Sequence, residues 1–265
     1  MAYSLAAVQE IIVPVAEQEL LPRFARVERR AKRDGSILTE ADLAVQERVS
    51  RELLRQWPDT VFLGEEMEAV EQARLLASGA PVWCLDPLDG TSNFAAGIPY
   101  FCVSLALLQR GEVLLGMVYD PIRDECFYAS PEQGAQLNGK PLRVKQTGLE
   151  LSQATALIDF KRLGKGLASR LVTQIPYASQ RSFGSVALDW CWLAAGRCHV
   201  YLHGSSNIWD YVAGNYIFHA AGGYSVSLDG EAIFTQALTP RSSVAAVDPQ
   251  LFAAWTGWLG VKLKP

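Results

Sequence analysis

The sequence carries no excess of basic residues. Its 24 Lys and Arg stand against 28 Asp and Glu, a formal charge of −4 spread along 265 residues, so no broad cationic surface for nucleic acid is expected. No run of about 18 apolar residues exists to span a bilayer. The start, Met1-Ala2-Tyr3-Ser4, has no basic n-region, and Glu10, Glu17 and Glu19 interrupt the apolar positions that follow. The five cysteines, Cys84, Cys102, Cys126, Cys191 and Cys198, are odd in number and lack C-x-x-C spacing, which excludes a zinc knuckle and a disulfide framework. Buried thiols in a reducing compartment remain. The expectation is a soluble, cytoplasmic protein that binds neither nucleic acid nor membrane directly. With 49% hydrophobic residues it can bury a large core, as one domain or two closely joined halves.

What is present centres on Trp83-Cys84-Leu85-Asp86-Pro87-Leu88-Asp89-Gly90-Thr91-Ser92-Asn93-Phe94. The apolar run from Pro81 to Leu85 reads as a buried strand, with Asp86 emerging at its end and Asp89 coming round a turn stiffened by Pro87. Hard divalent cations in phosphate chemistry are held by a few carboxylates, with water and substrate in the other positions. Gly90 lets the backbone approach an anion, and Thr91-Ser92-Asn93 opens a helix whose free N–H groups face it. The bland alternative is an Asp-rich turn with an Asx cap.

D-P-L-D-G-T-S-N-F resembles the signature of the inositol monophosphatases, Mg²⁺-dependent, lithium-sensitive sugar phosphatases related to fructose-1,6-bisphosphatases and nucleotide 3′-phosphatases. The resemblance extends from about Lys32 to about Ala246. Lys32-Arg33-Asp34-Gly35-Ser36 with Thr39-Glu40-Ala41-Asp42 is similar to the segment that packs over the metals in that family. Gly64-Glu65-Glu66, at the end of the apolar strand Val61 to Leu63, is similar to its G-E-E. Arg181-Ser182-Phe183-Gly184-Ser185 resembles a pocket-lining motif, and Trp209-Asp210-Tyr211-Val212-Ala213-Gly214 the closing motif.

The resemblance implies an α+β fold, a layered αβαβα sandwich of the inositol monophosphatase and fructose-1,6-bisphosphatase type, and commonly a homodimer. Residues 1–150 form an N-terminal half carrying most metal ligands, and residues 151–265 a half that completes the pocket. It also implies two or three Mg²⁺ ions. Glu65, Asp86 and the Leu88 carbonyl hold one, and Asp86, Asp89 and Asp210 a second; Lys32 faces the catalytic water or a third metal. Asp42 orients Thr91, Thr91 and Glu65 position and deprotonate the attacking water, and Gly90 and Thr91 N–H groups hold the phosphate. Gly184, Ser185, His203 and Asp210 line the substrate pocket. Taken alone, Asp42 and Asp210 also read as ordinary helix-start carboxylates.

Along the rest of the chain, Leu5 to Arg30 has helical apolar spacing, whole or broken at Pro14 and Pro22. Tyr100 to Leu108 and Val113 to Tyr119 form a hairpin signal, and short turns up to Val144 imply an antiparallel sheet. A strand is expected around Ile175 to Tyr177 and a buried helix over Leu188 to Ala195, ended by Gly196. Phe252, Trp255 and Trp258 read as core or subunit contact.

The reaction implied is hydrolysis of a small phosphomonoester by metal-activated water. Two rivals stand beside it. One is a 3′(2′),5′-bisphosphate nucleotidase, suggested by Tyr201-Leu202-His203-Gly204 but opposed by Asn93-Phe94 and by Glu65-Glu66. The other is a partner of the transcription machinery, with the complete carboxylate set against it. His203 stands where inositol-specific relatives carry a glutamate, and Val186 where they carry alanine. An imidazole cannot copy an acceptor-only carboxylate, so inositol 1-phosphate is expected not to be the best substrate.

Overall fold

The computed structural model describes residues 3–28, 30–31 and 37–264. Helix α1 (Leu5–Glu19) is capped by Ser4 and buries Leu5, Val8, Ile11, Ile12, Val15 and Ala16. Pro14 lies inside it without breaking it. The carbonyl a proline deprives of a donor belongs to residue i−4, here Glu10, and Glu10 is on the exposed face where water can serve it. Pro22 falls in the short 3₁₀ turn Leu21–Arg23 that follows.

Strands β1 (Arg30–Ala31) and β2 (Ile37–Leu38) pair antiparallel, followed by α2 (Glu40–Gln56). Then come β3 (Val61–Gly64), α3 (Ala69–Leu76), β4 (Val82–Asp89) and the six-residue α4 (Thr91–Ala96). The meander β5 (Cys102–Gln109), β6 (Glu112–Asp120), β7 (Glu125–Ser130), β8 (Gly134–Leu137) and β9 (Lys140–Pro141) completes a seven-stranded sheet in sequential order from β3. Only β3 and β4 pair in parallel.

A second sheet begins at β10 (Thr155–Asp159). It is followed by α5 (Lys165–Thr173), β11 (Ser179–Arg181), α6 (Val186–Ala194), β12 (Val200–Ser206) and α7 (Ile208–Ala220), then β13 (Tyr224–Val226), β14 (Arg241–Ala246) and α8 (Pro249–Leu259). Its order is β11-β10-β12-β14-β13, with β10, β11 and β12 mutually parallel and β14 antiparallel to its neighbours. The strand expected at 175–177 lies instead at Ser179–Arg181, where the chain pairs with Thr155–Leu157. Cross-strand pairing, not local apolarity, decides its position.

The layers explain the near-continuous apolar strands. On β4 and β5, Trp83, Leu85, Val103, Leu105 and Leu107 face α1 and α2, whereas Val82, Cys84, Cys102, Ala106 and Leu108 face the core under α6 and α7. A strand covered on both faces loses the polar alternation of an open sheet. Helix α7 leaves β12 of the second sheet and packs on β5, β6 and β7 of the first, while α8 covers the far side of β14. The order is helices, sheet, helices, sheet, helix, the layered α+β sandwich that the resemblance implies. Among the described residues no helix is long and apolar enough to cross a membrane.

Candidate metal and phosphate site

The site lies where β4 ends. The strand does not stop at Leu85: it runs on to Asp89, with an irregularity in its pairing to β5 between Asp86 and Asp89. Bulges of this kind re-aim side chains, and here the two carboxylates are buried. Asp86 Oδ1 accepts from Leu88 N at 3.0 Å, folding the turn on itself. Asp89 Oδ2 accepts from Ser185 Oγ at 2.7 Å and Ala187 N at 2.6 Å, so a residue of the first sheet caps α6 of the second half.

Gly90 follows with φ +95°, and a Cβ there would lie 2.9 Å from the Tyr100 carbonyl oxygen, so only glycine makes this turn without strain. The first N–H groups of α4 come next and have no acceptor within their own helix. Thr91 Oγ1 lies 2.9 Å from the Leu88 carbonyl and 3.2 Å from Asp42 Oδ1. One hydroxyl proton thus has two acceptors. Asp42, fully buried at the start of α2, closes a capping box by accepting from Thr39 N at 2.8 Å and Thr39 Oγ1 at 2.6 Å. Its capping reading and its tie to Thr91 are both correct, because each oxygen serves one.

Asp210 likewise closes a capping box, accepting from Asn207 N at 2.8 Å at the start of α7. Glu65 follows β3; its N–H donates to the Leu85 carbonyl and its own carbonyl accepts from Gln72. Burial raises the carboxyls of Asp86 and Asp210 well above their ordinary range, and the negative charges of Glu65 and Asp89 push both further. Burial also lifts Asp89 to about 6, against the Ser185 and Ala187 donors, and Asp42 to about 6, with the Glu65 charge adding to it. Glu65, Asp42, Asp86, Asp89 and Asp210 therefore share one electrostatic neighbourhood. Among the described residues no three acidic, thiol or imidazole groups form a ready-made cation cage, since Asp86, Asp89 and Asp210 are each turned to a protein donor.

The donor set suits a hard divalent cation: carboxylates and one carbonyl, all oxygen, with mutual repulsion that a cation would relieve. Lys32 lies outside the described residues. Gly184, with φ +84°, sits beside Asn93, and Ser185 is buried with its hydroxyl on Asp89 and not on open space.

His203 lies on β12. It is 4% exposed, and its Nε2 lies 3.0 Å from Asp159 Oδ2 on the neighbouring strand. The imidazole and a carboxylate thus lie side by side. Two further groups escaped the sequence reading. Asn93 Nδ2 donates to the carbonyls of Tyr100 and Phe183, at 2.8 and 2.6 Å, and Tyr100 Oη donates to the buried Asp189 at 3.0 Å, tying the phosphate turn to the second half. Such long-range ties have no local signal.

Comparison with known proteins matches residues 1–256 to the inositol monophosphatase family. Inositol monophosphatase 1 of Solanum lycopersicum is 35% identical over 225 residues, 83% of this chain and 81% of that protein. A Pasteurella multocida protein named Nus factor SuhB is 34% identical over 205 residues, 75% of this chain and 74% of that protein. Among solved structures, an IMPase of Thermotoga maritima superposes with a TM-score of 0.83 at 26% identity, covering 97% of this chain and 96% of the other.

Proposed function

The chain belongs to the inositol monophosphatase family and is a phosphomonoester hydrolase; from that premise we propose that it releases phosphate from a small sugar or polyol phosphate, with Mg²⁺ held by Glu65, Asp86, the Leu88 carbonyl, Asp89 and Asp210. The observation that carries this reading is the gathering of the buried Asp86 and Asp89 with the half-buried Asp210 in an all-oxygen donor set whose charges repel one another. Two or three Mg²⁺ ions, when bound, would supply Lewis-acid polarisation of water and of the ester oxygens. The chain's own residues do the rest. Thr91, steered by Asp42, positions the attacking water, and Glu65 receives its proton. Gly90 and Thr91 N–H groups hold the phosphate oxygens where the positive φ of Gly90 lets the backbone close on them. Lys32 is assigned to the same water. Asp210 closes the site from the second half, and Gly184 forms its rim. Lithium inhibition, a cytoplasmic location and a homodimer belong to the same proposal.

The relative named a Nus factor is about as similar as the monophosphatases, so a protein-partner role is the rival reading. Buried acids are poor docking groups and good cation ligands, which favours the enzyme. The test is Mg²⁺-dependent phosphate release from a panel of phosphomonoesters, repeated with Asp89→Asn and with lithium at constant ionic strength. Release that persists unchanged in Asp89→Asn would overturn the metal assignment.

A further inference from the structure

One carboxylate at the same edge of the molecule is used by no step above. Strands β10, β11 and β12 run parallel, so their carboxyl ends open on one side of the sheet, where ligands of parallel sheets bind. The end of β11 leads to Gly184 and Ser185, the end of β12 to Asn207 and Asp210, and β10 ends at Asp159. Asp159 Oδ1 accepts from Lys161 N at 2.9 Å and Oδ2 from His203 Nε2 at 3.0 Å. The register pairs Asp159 with His203, and a bulge in β12 follows immediately. Gly204 lies in that bulge, and a Cβ there would overlap the carbonyl oxygen of Arg162, so glycine alone lets the turn after Asp159 lie against β12.

The two side chains are not equally accessible. That of Asp159 is 28% exposed and that of His203 5%. An ionised carboxylate offers about four acceptor positions, and two are taken by these donors. Asp159 ends β10, so the exposed part of its side chain lies at the strand end. Asp159 pairs with His203 on β12, the strand that leads directly into α7 and Asp210. A carboxylate repels a phosphate but accepts from a hydroxyl, so it fits the leaving-group side of the pocket.

On the phosphatase reading above, we propose that Asp159 is a specificity-determining residue that accepts hydrogen bonds from hydroxyls of the leaving group. His203 is its positioning residue, buried behind it and donating through Nε2. The leaving groups selected are polyhydroxylated, because a site built around a hydroxyl discriminates against compounds that lack one. The Nδ1 of His203 is enclosed by protein and has no hydrogen-bond partner.

The experiment measures kcat and KM for inositol 1-phosphate and for p-nitrophenyl phosphate, whose leaving group has no further hydroxyl, with the full chain and Mg²⁺. The variants are Asp159→Ala, His203→Leu and His203→Gln. In Asp159→Ala the ratio of kcat/KM for the two esters should fall at least about tenfold through a rise in KM for inositol 1-phosphate. His203→Leu should lower the same ratio, and His203→Gln, whose amide N–H can still hold Asp159, should restore it. A ratio that Asp159→Ala leaves within about twofold overturns the proposal, and so does equal loss on both esters. If Asp159→Ala does not fold, His203→Leu against His203→Gln decides. A wild-type chain that hydrolyses neither ester overturns the phosphatase reading, and this inference with it.

Discussion

Two groups of buried or half-buried carboxylates sit in this molecule and behave oppositely. At the end of β4, Asp86, Asp89 and Asp210, with Glu65, raise one another's proton affinity on top of burial. In the second half burial also raises the carboxyls of Asp159 and Asp248, but donors outweigh it: the His203 hydrogen bond and charge for one, the Leu251 N–H and Thr147 for the other. Both end below the ordinary carboxylate range. At Asp159 and Asp248 the protein's own donors hold the charge. Where other carboxylates add to burial, the local donors do not outweigh it, and a bound cation would relieve the repulsion.

The comparison breaks most visibly at Asp86. Asp86→Asn should lower turnover with Mg²⁺ by about two orders of magnitude or more, at least ~3 kcal/mol of transition-state stabilisation, because it removes the ligand assigned to both ions. Its metal-free melting temperature should not fall, since a repelling charge is gone. Near-normal turnover at millimolar Mg²⁺ would sink the assignment.

The next effect is on stability against pH. Asp42 and Asp89 titrate at about 6 in the folded chain, above the value of about 3.9 for an unfolded aspartate. The stability they contribute is fully present below about pH 4 and is lost as pH rises through about 6. Metal-free protein in EDTA should therefore melt several degrees lower at pH 7 than at pH 5, and millimolar Mg²⁺ should close the gap. Asp159 and Asp248, shifted the other way, lose their contribution only as pH falls below about 4, outside that window. Identical melting curves with EDTA and Mg²⁺ at pH 7 would refute the distinction.

The smallest effect sharpens the other side. Asp248 caps α8, accepting from Leu251 N at 2.9 Å and Thr147 Oγ1 at 2.7 Å. Asp248→Ala should cost about 1 kcal/mol, as lost caps do, and leave the Mg²⁺ concentration for half-maximal activity unchanged. Chemical denaturation and a Mg²⁺ titration measure the two halves of that statement.

Much of this was legible in the residues. The buried helix expected over Leu188 to Ala195 and found at Val186–Ala194, the hairpin at Arg110-Gly111 and the turn at Gly90 are local chemistry, and local chemistry is written in local sequence. Asp86, Asp89 and Asp210 could be picked out because their motifs match those of a family, although Asp42 and Asp210 on their own look like any helix-start acid. What could not be read was pairing across the sheet. The neighbour of His203 is Asp159, 44 positions earlier in the chain, and the donors that hold Asp89 arrive from residues 185 and 187. The displaced strand at Ser179–Arg181 has the same cause: its position is fixed by β10, not by its own composition.

The path of α7 has a consequence for how the molecule is made. A ribosome delivers Asp86 and Asp89 about 120 residues before Asp210, and before the α6 start that caps Asp89. During that interval Asp89 lacks the Ser185 and Ala187 donors that hold it in the finished fold. Because α7 lies on β5, β6 and β7, Asp210 joins the carboxylates of β4 only once this middle layer is in place, and on the metal assignment proposed above a chain cut before α7 should release no phosphate.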